Sequence, residues 1–351
     1  MALAPLLDSV NWAFHVALPI AFVLILWALS LFSSAAANAV YKLHLGNLGV
    51  RHLLLSTDKK WKKQPDSGTL SSADVKKTKR VIFIRHGESE WNLVFNKGFG
   101  PSFFFRLGRA LVRELLLATS LDSVFVDSPL SRIGISQAVN LHAYVEDGGT
   151  ASGILRGDSS SDGSAVVVAS NLRRAVSTAS IGLAGRLQRT REKVHILSCL
   201  QEISTNVDTV SLAKAKTAPA LSSAELEALR ALDVTLSTSG CYDARGNVGD
   251  KPVRGSGMDR IQEFAKYIFD SDKSCVIAAG HSLYFKHFFR TFLPSSSTHI
   301  SKSKKMKNCA VVAFDFQMGM NGHFRIEPES IESMYLGFEG DGHVGSGKKD
   351  K

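Results

Sequence analysis

Four short apolar runs constrain the fold most tightly. They are residues 80–84 (RVIFI), 165–169 (AVVVA), 195–199 and 273–279. Each is too short for a stable helix, and each is bounded by polar residues, which is the pattern of a buried strand. Helical stretches separate them. The spacing predicts helices over 103–118, from Ser131 through Gln137 to Val145, over 224–232 and over 282–292. Ser222 and Glu225 have capping-box spacing at the third of these. Ile261, Phe264, Ala265 and Ile268 form one apolar helical face. Ser170 stands where an N-cap for the helix after 165–169 would be. Residues 310–316 and 323–326 read as a closing pair of strands. Strands alternating with helices imply an α/β chain: a three-layer α/β/α sandwich with a largely parallel central sheet.

Ligands of such sheets bind at the carboxyl ends of the strands. Every one of the four runs is followed there by Arg, His or Glu: Arg85 and His86 after the first, Arg174 after the second, Glu202 after the third, and His281 with Ser282 after the fourth. This set fits phosphoryl transfer. A neutral imidazole held in one tautomer can attack phosphorus directly and form a covalent intermediate. Arginine forks match phosphate oxygens and stay charged, so Arg85 and Arg174 suit the spread negative charge of the transferring group. His281 adds a donor if protonated, and Ser282 opens a helix whose N–H groups favour phosphate. A nearby carboxylic acid can protonate the leaving alcohol and then help water attack.

The segment Arg85-His86-Gly87-Glu88-Ser89-Glu90-Trp91-Asn92 resembles the phosphate motif of the histidine phosphatase superfamily, also called phosphoglycerate mutase-like. Ser170, Leu172, Arg174, Ala175, Thr178 and Ala179 match its S-x-L-x-R-A-x-x-T-A stretch. Asp127, Pro129, Leu130, Ser131, Gly134, Gln137 and Ala138 match its D-x-P-L-T/S-x-x-G-x-x-Q-A element. The resemblance covers roughly residues 80–316. It implies that His86 is phosphorylated, that Arg85, Arg174, His281 and Asn92 bind phosphate, and that Glu202 donates the proton. Glu88, two residues from the nucleophile, is the rival donor. Arg173, next to Arg174, is expected on an exposed helical face. The family needs no metal or other cofactor. Residues 92–127 are longer than in mutases, and the segment after Glu202 lacks their tyrosine- and glycine-rich stretch. A phosphomonoester hydrolase is therefore expected, with a phosphomutase or a catalytically silent membrane scaffold for phosphorylated partners as alternatives. The substrate is a small-molecule or protein phosphomonoester.

The N-terminus adds a second theme. Residues 10–32 are almost wholly apolar, with Trp12 and Trp27 towards the ends, and are long enough to span a bilayer as a helix. Ala37-Asn38-Ala39 offers a signal-cleavage spacing, but no Lys or Arg precedes the run, which favours an uncleaved anchor. Ten basic residues follow between 42 and 80, and only Asp58, Asp66 and Asp74 oppose them. The positive-inside rule then places the large C-terminal part in the cytosol, and the basic stretch could hold anionic lipid. In the insert, Phe103, Phe104, Phe105, Leu107, Leu111, Leu115 and Leu116 interleave with Arg106, Arg109 and Arg113 as a basic amphipathic helix suited to a membrane surface. The organisation expected is a short segment at 1–9, a transmembrane helix at 10–33, a basic linker at 34–79, a catalytic domain at 80–335 containing an insertion at 205–257, and a disordered tail at 336–351.

The formal net charge of +10 is concentrated in 42–80, so it does not make a nucleic-acid-binding face. The four cysteines (Cys199, Cys241, Cys275, Cys309) form no C-x-x-C pair and no disulfide framework. No Cys–His grouping has zinc spacing.

Overall fold

The computed structural model describes residues 4–61, 74–148, 153–158, 165–233 and 240–340, with side chains of the first helix described from His15 on. The chain runs α1 (Ala4–Ser30), α2 (Ser34–Leu55), β1 (Val75–Arg85), α3 (Glu90–Phe95), α4 (Pro101–Leu116), α5 (Arg132–Asp147), α6 (Gly153–Arg156), β2 (Ala165–Ser170), α7 (Arg173–Gly182), α8 (Ala184–Thr190), β3 (Val194–Leu197), α9 (Ser223–Ala231), β4 (Tyr242–Asp243), α10 (Gly257–Asp270), β5 (Cys275–Gly280), α11 (Ser282–Phe292), β6 (Val311–Gly319), β7 (Phe324–Ile326) and β8 (Glu332–Tyr335).

One mixed, mostly parallel sheet forms the centre, in the order β4-β3-β2-β5-β1-β6-β7, with β8 also paired to β6. The β1–β5, β2–β5, β2–β3 and β3–β4 pairs are parallel, and β6 returns antiparallel to β1. The continuous apolar runs have a direct cause: both faces of these strands are covered. Val81 and Phe83 point with Val166, Val168, Val276 and Ala278 into one core under α10 and α11. Ile82 and Ile84 point with Val167, Ala169, Ile277 and Ala279 into the other, under α5, α7 and α8. The first core is dominated by rings: Phe83 stacks on Phe285 at 4.0 Å between centroids and meets Phe288, Phe289 and Phe314 edge-on.

Several expected helices lie where the spacing puts them. Ser131 caps α5 by accepting from the Gly134 N–H, and Ser222 with Glu225 forms the capping box of α9. Ser170 does not cap α7. That position falls to Leu172, without a side-chain bond, because the chain needs two more residues to turn off the sheet.

The largest correction concerns residues 34–79. The described parts of this expected linker are structured: Ser34–Leu55 is helix α2 and Val75 onward is strand β1, while 62–73 lie outside the described residues. Ser33 caps α2, which packs Leu45 against Val126 and Val210. Gly49 of α2 sits where a Cβ would lie 2.9 Å from Val207, so only glycine permits this approach. Lys42 pairs with Glu114 at 2.8 Å and donates to the carbonyls of Leu117 and Asp122. Lys79 is buried on the Ser271 carbonyl, and Arg80 pairs with Asp315 and Glu332. These three cations are spent inside the fold and are not free for lipid. Lys62 and Lys63 lie outside the described residues. The tail also starts later than expected: Phe338 is buried and Met306 bridges to it. Residues 341–351 lie outside the described residues.

Among the described residues, no helix is long and apolar enough to cross a membrane, so the expected span is not met there. The backbone helix α1 does extend over 27 residues, Ala4–Ser30. The amphipathic reading of α4 also changes. Arg113 pairs with Glu90, and Arg106 turns back onto the Gly98 carbonyl. What α4 presents to solvent is largely apolar: Phe104, Phe105, Leu111, Val112, Leu115 and Leu116 are all exposed.

Candidate active site

β1, β2 and β5 are parallel neighbours, so their carboxyl ends lie side by side. β1 delivers Arg85 and His86. The loop after β2 turns into α7, whose first turn carries Arg174, and β5 ends at His281. β3 passes through a 3-10 turn, Ser198–Leu200, before Glu202. A cavity of about 160 Å³ opens at this edge, lined by Arg85, His86, Asn92, Arg174 and Glu202 among others. His281 is fully buried beside it, its ring centroid 5.1 Å from that of His86.

The His86 ring has a defined tautomer. Its Nδ1 lies 2.6 Å from the Gly87 carbonyl oxygen. A carbonyl only accepts, so Nδ1 carries the proton and Nε2 keeps its lone pair. Burial, then the Arg174 and Arg85 charges, hold the His86 pKa well below the usual histidine value of 6.5. The ring is therefore neutral and nucleophilic into mildly acidic solution.

Two glycines fix the loop carrying it. A Cβ on Gly87 would fall 2.6 Å from the Gly134 oxygen, and one on Gly134 only 2.0 Å from the Glu88 oxygen. The His86 loop and the start of α5 thus meet backbone to backbone. The loop is further held by Thr178, which accepts from the Gly87 N–H, and by Gln137, which accepts from the Glu88 N–H. Gly134→Ala is expected to cost about 1–3 kcal/mol by overpacking, read as a lowered denaturation midpoint, and to lower kcat by displacing His86. A variant with unchanged midpoint and rate would show that the close approach does not matter.

The arginines are anchored at one end. Arg85 donates through Nη1 to the Met306 carbonyl and lies 3.4 Å from Glu339. Arg174 donates through Nη1 to the Asp208 carbonyl at 2.8 Å and pairs through Nη2 with its carboxylate at 3.4 Å. The Nε atoms of both, and Asp208 Oδ1, are buried without a partner among the described residues. A buried donor left unpaired is costly, so the two Nε–H groups fit an oxyanion in the cavity, whereas Asp208 Oδ1 can only accept. Asp208 was not readable in the sequence. It belongs to the stretch after Glu202 that lacks any regular period, and only its acidity could have hinted at a partner for Arg174.

Glu202 is buried, and its Oε1 accepts from the N–H groups of Ile203 and Tyr284 at 3.0 and 2.9 Å. Burial raises its pKa, against the pull of Arg174 and these backbone donors. Glu88 faces elsewhere: it accepts from Ser131 Oγ and pairs with Lys97 at 3.4 Å. Asn92 lines the cavity while its Oδ1 accepts from Asn96.

His281 Nε2 lies 2.8 Å from Ser170 Oγ, and its Nδ1 is buried without a partner among the described residues. Burial, with Arg174 next, holds its pKa well below 6.5. Arg174 and Arg85 beside it add to burial in disfavouring its charged form. Ser170 holds this ring instead of capping a helix. Arg173 corrects a further expectation. It is buried, not exposed: its N–H and Nε are both engaged by Asp127, and its guanidinium reaches Asp122 and the Ser123 carbonyl. Asp127, at φ 47°, accepts also from the Leu212 N–H, and burial raises its pKa to about 6. This clamp sets the first turn of α7, and with it Arg174. Among the described residues no group of three or more His, Cys, Asp or Glu could hold a metal ion.

No protein-family model matches the sequence, and no curated protein matches it. Some solved structures are similar to this chain over most of their own length. A mycobacterial glucosyl-3-phosphoglycerate phosphatase is 16% identical with a TM-score of 0.36, covering 71% of this chain and 98% of that one. A protein titled mycobacterial hydrolase 2 is 15% identical with a TM-score of 0.38, covering 75% and 92%. A phosphoserine phosphatase from Entamoeba histolytica is 17% identical with a TM-score of 0.32, covering 70% and 94%. These are proteins of the histidine phosphatase (phosphoglycerate mutase-like) type, the resemblance that the motifs also carry. At such TM-scores and identities the likeness carries no weight for activity or substrate.

Proposed function

We propose that the chain is a phosphomonoester hydrolase that works through a phosphohistidine on His86. The observation that carries this reading is the His86 ring itself: neutral, with Nδ1 tied to Gly87 and Nε2 free, on a cavity shared with Arg85, Arg174 and buried Glu202. In the first step Nε2 attacks phosphorus and the bond to the leaving oxygen breaks, while Glu202 gives that oxygen its proton. In the second, the Glu202 carboxylate takes a proton from water, the water oxygen bonds to phosphorus, and the P–N bond breaks to restore the Nε2 lone pair. Arg85 and Arg174 hold the non-bridging oxygens through both steps. Neutral His281 donates through Nδ1 when Ser170 Oγ donates to its Nε2. The direct test is an acid-labile, base-stable phosphoryl label on His86, trapped by quenching during turnover of a labelled phosphomonoester. Transfer of the label to water rather than to an added alcohol separates hydrolase from mutase.

The reading extends to a membrane. Residues 10–30 of the apolar run at 10–32 fall within α1, whose backbone is about 40 Å long at 1.5 Å per residue. The run supports a single-pass anchor, and the basic residues that follow it support a catalytic part on the cytosolic side. The exposed apolar side of α4 supports a second seat on the same surface, since α2 joins α1 to α4 through Asn38, Lys42 and Glu114. Deleting residues 1–33 is expected to move the protein from the membrane pellet to the supernatant in a carbonate wash. Retention of the deletion variant in the pellet would count against α1 as the anchor.

A further inference from the structure

Asp58 stands just past α2, in sequence a lone acid among lysines, yet it is 1% exposed. Its Oδ2 accepts from Lys251 Nζ at 2.8 Å and from the Ser204 N–H at 3.2 Å. Its Oδ1 accepts from Arg260 Nη1 at 2.7 Å. Both cations are themselves buried, and both also hold the turn around Glu202. Lys251 Nζ donates to the carbonyls of Glu202 and Ser204, each at 2.6 Å. Arg260 Nη2 donates to the Gln201 carbonyl at 3.3 Å. Among the described residues, the ion pairs of Lys251 and Arg260 all end on Asp58.

The carboxylate is what permits two like charges to sit together out of water. Burial pulls the Lys251 pKa down and Arg260 adds to that pull, while Asp58 opposes it. Burial pushes Asp58 up, but the same two cations outweigh it and leave its carboxyl below the usual range. With a neutral side chain at 58, Lys251 either loses its proton or moves towards solvent. In both cases the grip on the Glu202 and Ser204 carbonyls weakens. The phosphate-binding groups do not share this dependence: Arg85 is held by Met306, Arg174 by Asp208 and the His86 ring by Gly87.

We infer that Asp58 is a positioning residue for Glu202, so that the segment following α2 completes the active site from outside the sheet. The inference rests on the role given to Glu202 in the proposed reaction. It also predicts which substrates suffer. p-Nitrophenolate leaves without protonation, whereas the alkoxide of an alkyl phosphate needs the acid.

The test uses the full chain with Asp58→Asn, and Asp58→Asn combined with Lys251→Met, which removes the uncompensated cation where the single variant does not fold. kcat/KM, which reports the first chemical step and leaves out the shared hydrolysis of the phosphohistidine, is measured for β-glycerophosphate and for p-nitrophenyl phosphate, with His86→Ala alongside. The expected result is a fall of about 10-fold or more with the alkyl ester and a change within about 2-fold with the aryl ester. A purely structural defect lowers the active fraction and moves both rates together, so a parallel fall overturns the inference, as does an unchanged ratio. If His86→Ala retains wild-type turnover, it is the phosphohistidine reading that fails, and the two failures are thus distinct.

Discussion

His86→Ala is expected to abolish phosphoryl transfer, lowering kcat/KM for p-nitrophenyl phosphate by roughly 10⁴-fold or more. The size follows from the chemistry. Alanine offers no lone pair, and the imidazole beside it, His281, is committed to Ser170. The arginines that bind phosphate are anchored independently of His86, so the substrate still enters a charged cavity. KM is therefore expected to change far less than kcat. The substitution also removes the site of covalent labelling, so the acid-labile phosphoryl trapped in the wild type is absent from the variant. The protein should remain folded, because the loop is held by Gly87, Thr178, Gln137 and Gly134 rather than by the imidazole. A folded variant that keeps a tenth of the wild-type rate would sink the mechanism.

Much of this arrangement is legible in the sequence because strands end where ligands bind. The apolar runs at 80–84, 165–169 and 273–279 become β1, β2 and β5, and the residues just after them meet at one edge. The motif glycines are legible too: Gly87 and Gly134 belong to separate motifs and meet backbone to backbone in the fold. What was not legible is of two kinds. One is the choice between adjacent candidates, decided by packing. Arg173 looks like the exposed partner of Arg174, yet Asp127 and Asp122 bury it, and no periodicity in α7 reports that. Ser170 looks like a cap and instead holds His281, 111 residues away.

The other kind is composition that changes meaning on folding. A stretch rich in lysine reads as a solvated linker, because isolated charges belong in water. Here Lys42, Lys79 and Arg80 each find a carboxylate or carbonyl contributed from 70 or more residues away, and α2 buries Ala36, Leu45, Gly49 and His52 against the fold. Asp58 reads as a minor correction to net charge and is the counter-ion of two buried cations. Domain boundaries drawn from composition therefore cut the protein between Asp58 and the turn it supports. A fragment beginning at residue 80 would lack α2 and Asp58, leaving Lys251 and Arg260 without their carboxylate and exposing Val126 and Val210. Such a fragment is a poor surrogate for the whole chain.

Glu202→Gln should separate the two halves of the reaction and give the pH dependence its shape. With an alkyl phosphate the variant is expected to lose about 10²–10⁴-fold in kcat, because glutamine accepts the same backbone N–H bonds from Ile203 and Tyr284 but has no proton to give. With p-nitrophenyl phosphate the loss in the first step is small, and what remains reflects slower attack by water on the phosphohistidine. The working enzyme needs His86 neutral and Glu202 protonated at once. At their usual values of 6.5 and 4.5 these conditions exclude each other, since histidine is neutral only above the first and the carboxyl protonated only below the second. Burial moves each the other way: the histidine, with Arg174 and Arg85 helping, goes down, and the carboxyl goes up. The two shifts bring these conditions towards overlap. Turnover of an alkyl phosphate should therefore be bell-shaped in pH, with an acid limb, below the usual histidine value, where His86 protonates and an alkaline limb, above the usual carboxyl value, where Glu202 loses its proton. In Glu202→Gln the alkaline limb should vanish while the acid limb stays, since His86 is untouched. An alkaline limb that survives the substitution would assign the proton to another group and remove Glu202 from the chemistry.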